Sequence, residues 1–434
     1  MKHIACTEQT SRLKILLVAY ACSPVKGSEP GVGWGFVKAL AHQHDLWIIV
    51  EEEKFREEME AALAVRPDIQ GMVHLYFIRK RRNRLLRKLW PPAYYWNYHR
   101  WHEDAYRLAQ RLHQEVKFDI AHHLTMVSFR EPGYLWRLGI PFVWGPVGGM
   151  GLFPWRFLPT VGWYGAIYYL GYNLFNLLHM RFLARPKQAA KVAASGLTTG
   201  LIAATPENRE GAARYWDCSS IVLTEVGLPR EPASQIPLRA AEEPLRLVWS
   251  GQHTPGKALN LGLLALRRLP ADVNWELHIL GQGERTTAWQ RLAERLEISG
   301  RCRFHGWLPR ARALEVMQEA HVLLITSLRD LTSTVTVEAL ALGLPIVCLD
   351  HCGFAEVVNE TCGLKIPVTT PNETIAGLAQ AIEQLARNEH QRQALARGAL
   401  QRARDFSWEE KARVVDRIYR AKVAIGKGAN VGTQ

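Results

Sequence analysis

The chain has 434 residues, 48% of them hydrophobic and 22% charged, a composition of ordinary globular proteins that excludes the disordered and fibrous classes. This length gives room for two α/β domains and is too long for one comfortable core. Lysine and arginine number 54 against 41 acidic residues, a formal charge of +13, which favours an anionic partner such as a nucleotide, a phospholipid surface or a nucleic acid without choosing among them.

The seven cysteines are scattered without a C-x-x-C pair, so neither a disulfide framework nor a thiolate zinc site is indicated, and packed reduced thiols are expected. Residues 1–13 are polar and read as loose. Lys14–Cys22 has a basic flank and a short apolar run ending in small residues, much like a signal peptide. Its run sits at the short limit for such a leader and leads directly into a glycine-rich turn, which favours a first strand over Ile15–Ala21. The loop Cys22–Trp34, CSPVKGSEPGVGW, carries glycines that let a backbone approach a ligand, with a helix beginning at Phe36. Its spacing is not the G-x-G-x-x-G of dinucleotide folds.

Strands follow over Leu46–Val50 and Val73–Ile78. Then comes Arg79–Lys88, RKRRNRLLRK, in which seven of ten residues are basic. Two readings stand for it, a solvated charged helix and a segment lying on an anionic membrane surface, where each basic side chain is worth about 1 kcal/mol. No known nucleic-acid module accompanies the run, so nucleic acid is not expected as a partner. Phe118–Thr125 reads as a strand ending in His122 and His123 at the carboxyl edge, where open α/β sheets place ligands. Ile140–Trp144 is a further strand. Phe157–Met180 contains no Asp, Glu, Lys or Arg over 24 residues. Pro159, interior glycines and asparagines and many aromatics argue for an interfacial or acceptor-lining element over a membrane span. Leu201–Ala204 begins another strand, Thr205-Pro206-Glu207 opens a helix, and the Pro-, Arg- and Glu-rich Pro229–Pro244 is the expected linker.

The second half alternates strand and helix. Leu245–Ser250 is followed by the turn Gly251–Lys257 and a helix over Leu259–Leu269. Trp275–Leu280 closes on Gly281, and Cys302–Phe304 leads into His305-Gly306-Trp307. His321–Ile325 reads as a buried strand feeding TSLRDLTSTVTVEALALGLPIVCLDHCGFAEVV, residues 326–358. Within that stretch Ser333 or Thr334 can cap a helix that Gly343-Leu344-Pro345 ends. A strand, a polar turn and a helix N-terminus present free backbone N–H groups to an anion such as a phosphate. Later helices are expected over 373–386, over 390–406 and from 407 to about 423, with a loose tail from Gly426.

Asp330 and Glu338, eight apart and followed by EALALGLPIV, resemble the paired-acid motif of family 4 glycosyltransferases, in which both acids are normally Glu. The resemblance spans nearly the whole chain, strongest over 326–358 and thinnest over 150–185. It implies the α/β GT-B fold, two Rossmann-like domains facing across a cleft with the last helix crossing back. The acceptor domain would be 1–230, joined by 407–425, and the nucleotide-sugar domain 240–406. By the same resemblance Asp330 holds hydroxyls of the transferred sugar, Glu338 the ribose, and Lys257 the leaving diphosphate. Gln252 stands where the family normally has an Arg. Gly31 and Gly33 would approach the sugar with Glu29 at the mouth, and Gly281, Phe304, His305 and Gly306 would flank the base. The amides of Leu331, Thr332, Ser333 and Thr334 would face the diphosphate. The family's His-x-His strand is matched by His122 alone, so an acceptor-side role for His122 or His123 stands beside that of packed histidines.

An ionised carboxylate suits sugar hydroxyls because it accepts several O–H bonds, and a Lys with a helix N-terminus is a preorganised answer to charge developing on a leaving phosphate. No D-x-D metal-binding element occurs in the chain, and neither a metal nor a further cofactor is expected. The resemblance thus implies a retaining, metal-independent hexosyltransferase. It would take a UDP- or GDP-linked sugar and a glycan or lipid-linked acceptor in envelope or exopolysaccharide synthesis. The expected location is cytoplasmic, peripheral on the inner face of the membrane if the basic run engages it. A GT-B epimerase or hydrolase, or a non-catalytic sugar-nucleotide binder, is the alternative.

Overall fold

The computed structural model describes residues 11–80, 93–228 and 231–431. Its strands are β1 (Lys14–Ala19), β2 (Asp45–Glu51), β3 (Val73–Ile78), β4 (Ile120–Thr125), β5 (Phe142–Val147), β6 (Leu201–Ala203) and β7 (Ile221–Val222), then β8 (Leu245–Ser250), β9 (Trp275–Leu280), β10 (Cys302–Gly306), β11 (Val322–Ile325), β12 (Ile346–Leu349) and β13 (Gly363–Ile366). They form two sheets, of order β3-β2-β1-β4-β5-β6-β7 and β10-β9-β8-β11-β12-β13. β1 runs parallel to β2 and β4, and β8 parallel to β9 and β11. Both sheets are therefore doubly wound: the chain starts near the middle, builds outward on one side and returns to build the other. The near-continuous apolar runs of Ile15–Ala19 and Val322–Ile325 are fully buried, as strands covered by helices on both faces must be.

Two compact units divide the chain. One comprises the described residues of Met1–Gly145, Arg185–Ile202 and Ala412–Gln434, the other Pro146–Ala184 and Ala203–Lys411. The segments 146–184 and 203–228 thus group with the second sheet, because their side chains and backbone are tied to its loops, as set out below.

Four helices matter for function: α1 (Glu29–Ala41), α2 (Gly162–Phe182), α3 (Thr334–Ala341) and α4 (Trp408–Val431). α1 starts seven residues before the Phe36 expected from sequence, since Pro30 fits the first helical positions, where an N–H is dispensable. Gly31 and Gly33 are therefore helical and not part of a loop. A Cβ on Gly33 would lie 2.5 Å from the Ala21 carbonyl oxygen, so this glycine lets α1 sit on the end of β1. α4 continues to Val431, past the expected end near Val423, and includes Gly426. Arg79 and Lys80 are described, whereas residues 81–88 of the basic run lie outside the described residues. Among the described residues no helix is long and apolar enough to cross a membrane.

Candidate active site

In the second sheet β8 and β11 are neighbours from which the chain winds in opposite directions, and ligands of open α/β sheets bind outside the carboxyl ends at such a switch point. Lys257 follows β8 and Asp330 follows β11, so two distant stretches of sequence meet there. The Lys257 ammonium donates to Asp330 Oδ2, and Asp330 Oδ1 accepts from its neighbour Leu331 N–H at 2.9 Å. Both residues line one small pocket with Ser250, Ser327 and Ser333. The Lys257 turn is fixed by its backbone. Gly256 O accepts from Leu328 N–H at 2.8 Å and from Arg329 N–H at 3.2 Å, and Lys257 O accepts from Thr326 Oγ1 at 2.8 Å.

A second set of residues, unseen in the sequence pattern, holds these loops. Glu207 Oε1 accepts from Cys352 N–H and from His351 Nδ1, both at 2.7 Å, and His351 Nε2–H donates to Leu328 O at 3.0 Å. An imidazole that donates from both nitrogens is an imidazolium. Burial alone would lower its pKa, but the Cys352 sulfur and the Glu207 carboxylate outweigh burial and push it up to about 11. Glu207, His351 and Cys352 place metal-ligand atoms within 4.8 Å of one another. With both its nitrogens spent on oxygen acceptors, however, His351 offers no lone pair, and the arrangement is an ion pair. The Cys352 sulfur accepts from Asp330 N–H at 3.3 Å, tying this pair to the acid at the switch point.

Glu225 is fully buried and accepts from both Thr332 N–H and Thr332 Oγ1, each at 2.9 Å; burial raises its pKa against these bonds. This corrects the expected anion cradle. The Leu331 and Thr332 amides are used inside the protein, and of the four only Ser333 and Thr334 N–H lack a protein acceptor among the described residues. Ser333 takes φ 66° at the N-cap of α3 without bonding through its side chain, which leaves its hydroxyl and amide at the pocket.

Glu338 falls in the second turn of α3, and its Oε1 accepts two bonds from the Arg310 guanidinium, at 2.9 and 2.7 Å. Both donors converge on Oε1, a charge-assisted contact that tethers the carboxylate and leaves Oε2 without a bond from Arg310. Gln252 is exposed on the turn after β8. Gly281 ends β9 at φ 104°, and a Cβ there would stand 2.0 Å from Gly251 O, so only glycine lets these two turns touch. Gly281 N–H donates to Gly306 O at 2.8 Å, and β10 brings Phe304, His305 and Gly306 alongside. His305 Nε2 pairs with His278 Nδ1 at 3.1 Å.

In the first unit the same topology brings the turns after β1 and β4 together, with both histidines buried beneath them. His122 is buried: Nε2–H donates to Gly145 O at 2.8 Å, and Nδ1 accepts from the Tyr419 hydroxyl at 2.5 Å. Burial holds it neutral, with a pKa of about 4. It packs β4 against α4. His123 is also buried, pushed down to about 3 by burial, and faces Gly133, whose Cβ would stand 2.9 Å from Nδ1. Glu29 is turned inward, its Oε1 accepting from Val127 N–H, and burial raises its pKa.

Two doubly wound α/β units of this kind define the GT-B fold. The Anabaena protein HepE, solved in complex with UDP, shares this fold with a TM-score of 0.57 at 14% identity, covering 94% of this chain and 100% of that one. Residues 232–402 match the family described as glycosyl transferases group 1. Curated relatives include a D-inositol 3-phosphate glycosyltransferase of Corynebacterium urealyticum, 32% identical over 32% of this chain and 32% of its own length. Another is the O-antigen chain mannosyltransferase B of Escherichia coli, 28% identical over 42% of this chain and 48% of its own length. The chain thus spans about a third to a half of the relatives it matches.

Proposed function

We propose that this chain is a retaining glycosyltransferase that moves a hexose from a UDP- or GDP-linked donor to a glycan or lipid-linked acceptor in envelope or exopolysaccharide synthesis. The observation that carries the proposal is the meeting of Lys257 and Asp330 at the switch point of the second sheet, beside the N-terminus of α3. The glycosyltransferase activities of the relatives and the UDP held by the fold neighbour support it.

In this reading the Lys257 ammonium and the Ser333 and Thr334 amides meet the charge that develops on the leaving diphosphate, preorganised and partly shielded from water. Asp330, released from Lys257, accepts hydroxyls of the transferred sugar. Glu338, oriented by Arg310, accepts the ribose hydroxyls. The departing phosphate takes the acceptor's proton on the same face, which retains the anomeric configuration without a protein nucleophile. Charge neutralisation by Lys257 and amides needs no divalent ion, so a chelator should leave the rate unchanged. Work at the cytoplasmic face of the membrane suits a lipid-linked acceptor, with the basic run from Arg79 adding attraction to anionic lipid.

The test is to incubate the protein with a panel of nucleotide sugars, follow release of free nucleotide, and assign the product anomer by NMR. Turnover with one donor, lost in Glu338→Ala, is expected. No turnover with any donor, together with unchanged nucleotide binding in Glu338→Ala, would sink the enzyme reading.

A further inference from the structure

α2 is built inside out. Its inward stripe is Gly165, Tyr169, Asn173, Asn176 and Met180, with both asparagines at 0% exposure. Asn173 accepts from Phe153 N–H at 2.9 Å and donates to Phe153 O at 2.8 Å, and Asn176 donates to Gly149 O at 2.9 Å. The outward stripe is apolar: Trp163 is 78% exposed, Ile167 63%, Leu174 51%, Leu178 55% and Phe182 70%. Tyr164, Tyr168 and Phe175 flank it, also exposed. Singly exposed apolar residues need no explanation, but a contiguous face of them marks an interaction site.

We infer that the outer face of α2 docks on a lipid bilayer, lying in the interface plane. Three observations select lipid as the occupant. Trp and Tyr crowd the face, as at membrane–water boundaries, where one end of a ring is apolar and the other wet. Residues 153–182 contain no acidic side chain, and exposed Arg181 stands in the last turn of the helix with exposed Arg156 in the segment that leads into it, a balance of charge that complements phosphate headgroups. The helix is too polar inside to span, its buried asparagines being committed to the loop at 149–153. An amphipathic helix with this division lies on the surface with its apolar face sunk into the headgroup boundary.

The opposite edge of α2 touches the candidate site. A Cβ on Gly256 would meet the Tyr169 hydroxyl at 2.5 Å, and the Arg329 guanidinium stacks 3.9 Å from the Tyr172 ring centre. Docking on α2 would therefore hold the Lys257 and Asp330 turns about one helix diameter, roughly 10 Å, from the headgroups. The docking itself does not rest on glycosyl transfer, and its test reads binding alone.

The experiment is flotation of the full chain with phosphatidylcholine vesicles, and with vesicles containing phosphatidylglycerol, at low and high salt. The parent should float with neutral vesicles, and a part of that binding should persist at high salt, where purely electrostatic attraction is screened. The double variant Ile167→Asp/Leu174→Asp should lose at least about tenfold in partitioning with an unchanged thermal melt, since both positions are exposed. As a second readout, brominated lipid should quench tryptophan fluorescence in the parent and less in Trp163→Ser. Flotation equal to the parent's in the double variant, or no flotation of the parent with any vesicle, overturns the proposal. So does a parent dimer that the double variant makes monomeric without any vesicle binding, which would assign the face to a second copy of the chain.

Discussion

Lys257 and Asp330 satisfy one another, and their removal should have unequal consequences. Lys257→Met leaves a carboxylate without its partner and takes away the cation, so kcat/KM for donor hydrolysis should fall on the order of 100-fold, read from nucleotide release. Asp330→Asn keeps the shape and frees the lysine, so diphosphate binding by calorimetry should hold or tighten while turnover falls. Weaker diphosphate binding in both variants would remove the assigned roles. His351 acts through its partners. Its folded pKa of about 11 exceeds its ordinary 6.5, so the stabilisation from its pairing is fully present below about pH 6.5 and fades as the pH rises through 11. The melting advantage of the parent over His351→Gln should therefore be clear at neutral pH and shrink in strong alkali. A constant gap would refute the ion pair.

Among the elements, α2 shows why sequence reading reached only part of the molecule. Apolar residues at 163, 167, 170, 174 and 178 repeat at helical spacing, and such a stripe reads the same whether it faces a core or a solvent boundary. What settles the orientation is the Phe153 backbone, whose N–H and C=O are both paired by Asn173. Asn173→Ala should therefore cost about 2–4 kcal/mol in urea unfolding, as two buried backbone groups lose their partner, although the substitution deletes no apolar contact. A change below about 0.5 kcal/mol would show those groups satisfied otherwise. The winding of the sheets, Lys257 and Asp330 were legible because strand–turn–helix units announce themselves locally. Glu207 and Glu225 were not. Each reaches its partner across more than a hundred residues, and nothing local marks them beyond the place of Glu207 in a helix opened by Thr205. The start of α1 was misplaced because glycines that admit close packing look like loop glycines.

At the scale of the whole molecule, four buried histidines set a common acid limit. His44, His122 and His321 are each held near pKa 4, and His123 near 3, with burial the leading cause in every case. Each stays neutral in the folded protein while the unfolded chain takes up protons near pH 6.5, so stability falls as the pH drops from about 6.5 towards 4. The urea midpoint at pH 5 should lie clearly below that at pH 7; equal midpoints would mean these rings are reachable by water. α4 offers a second check. Ending the chain after Lys411 removes Tyr419, the hydroxyl donor to His122, and should expose residues 1–145 to limited proteolysis well before 203–411.

Under the proposed function, the mutual engagement of Lys257 and Asp330 would also act as a filter on ligands. A simple anion that draws off the ammonium strands the carboxylate, and a neutral sugar that draws off the carboxylate strands the ammonium; each gain is offset by a loss of similar size. Only a molecule carrying negative charge and hydroxyl groups at the right separation repays both partners at once. Under the proposed function, discrimination against inorganic phosphate and free sugars would thus begin in these two side chains, before any pocket shape is considered.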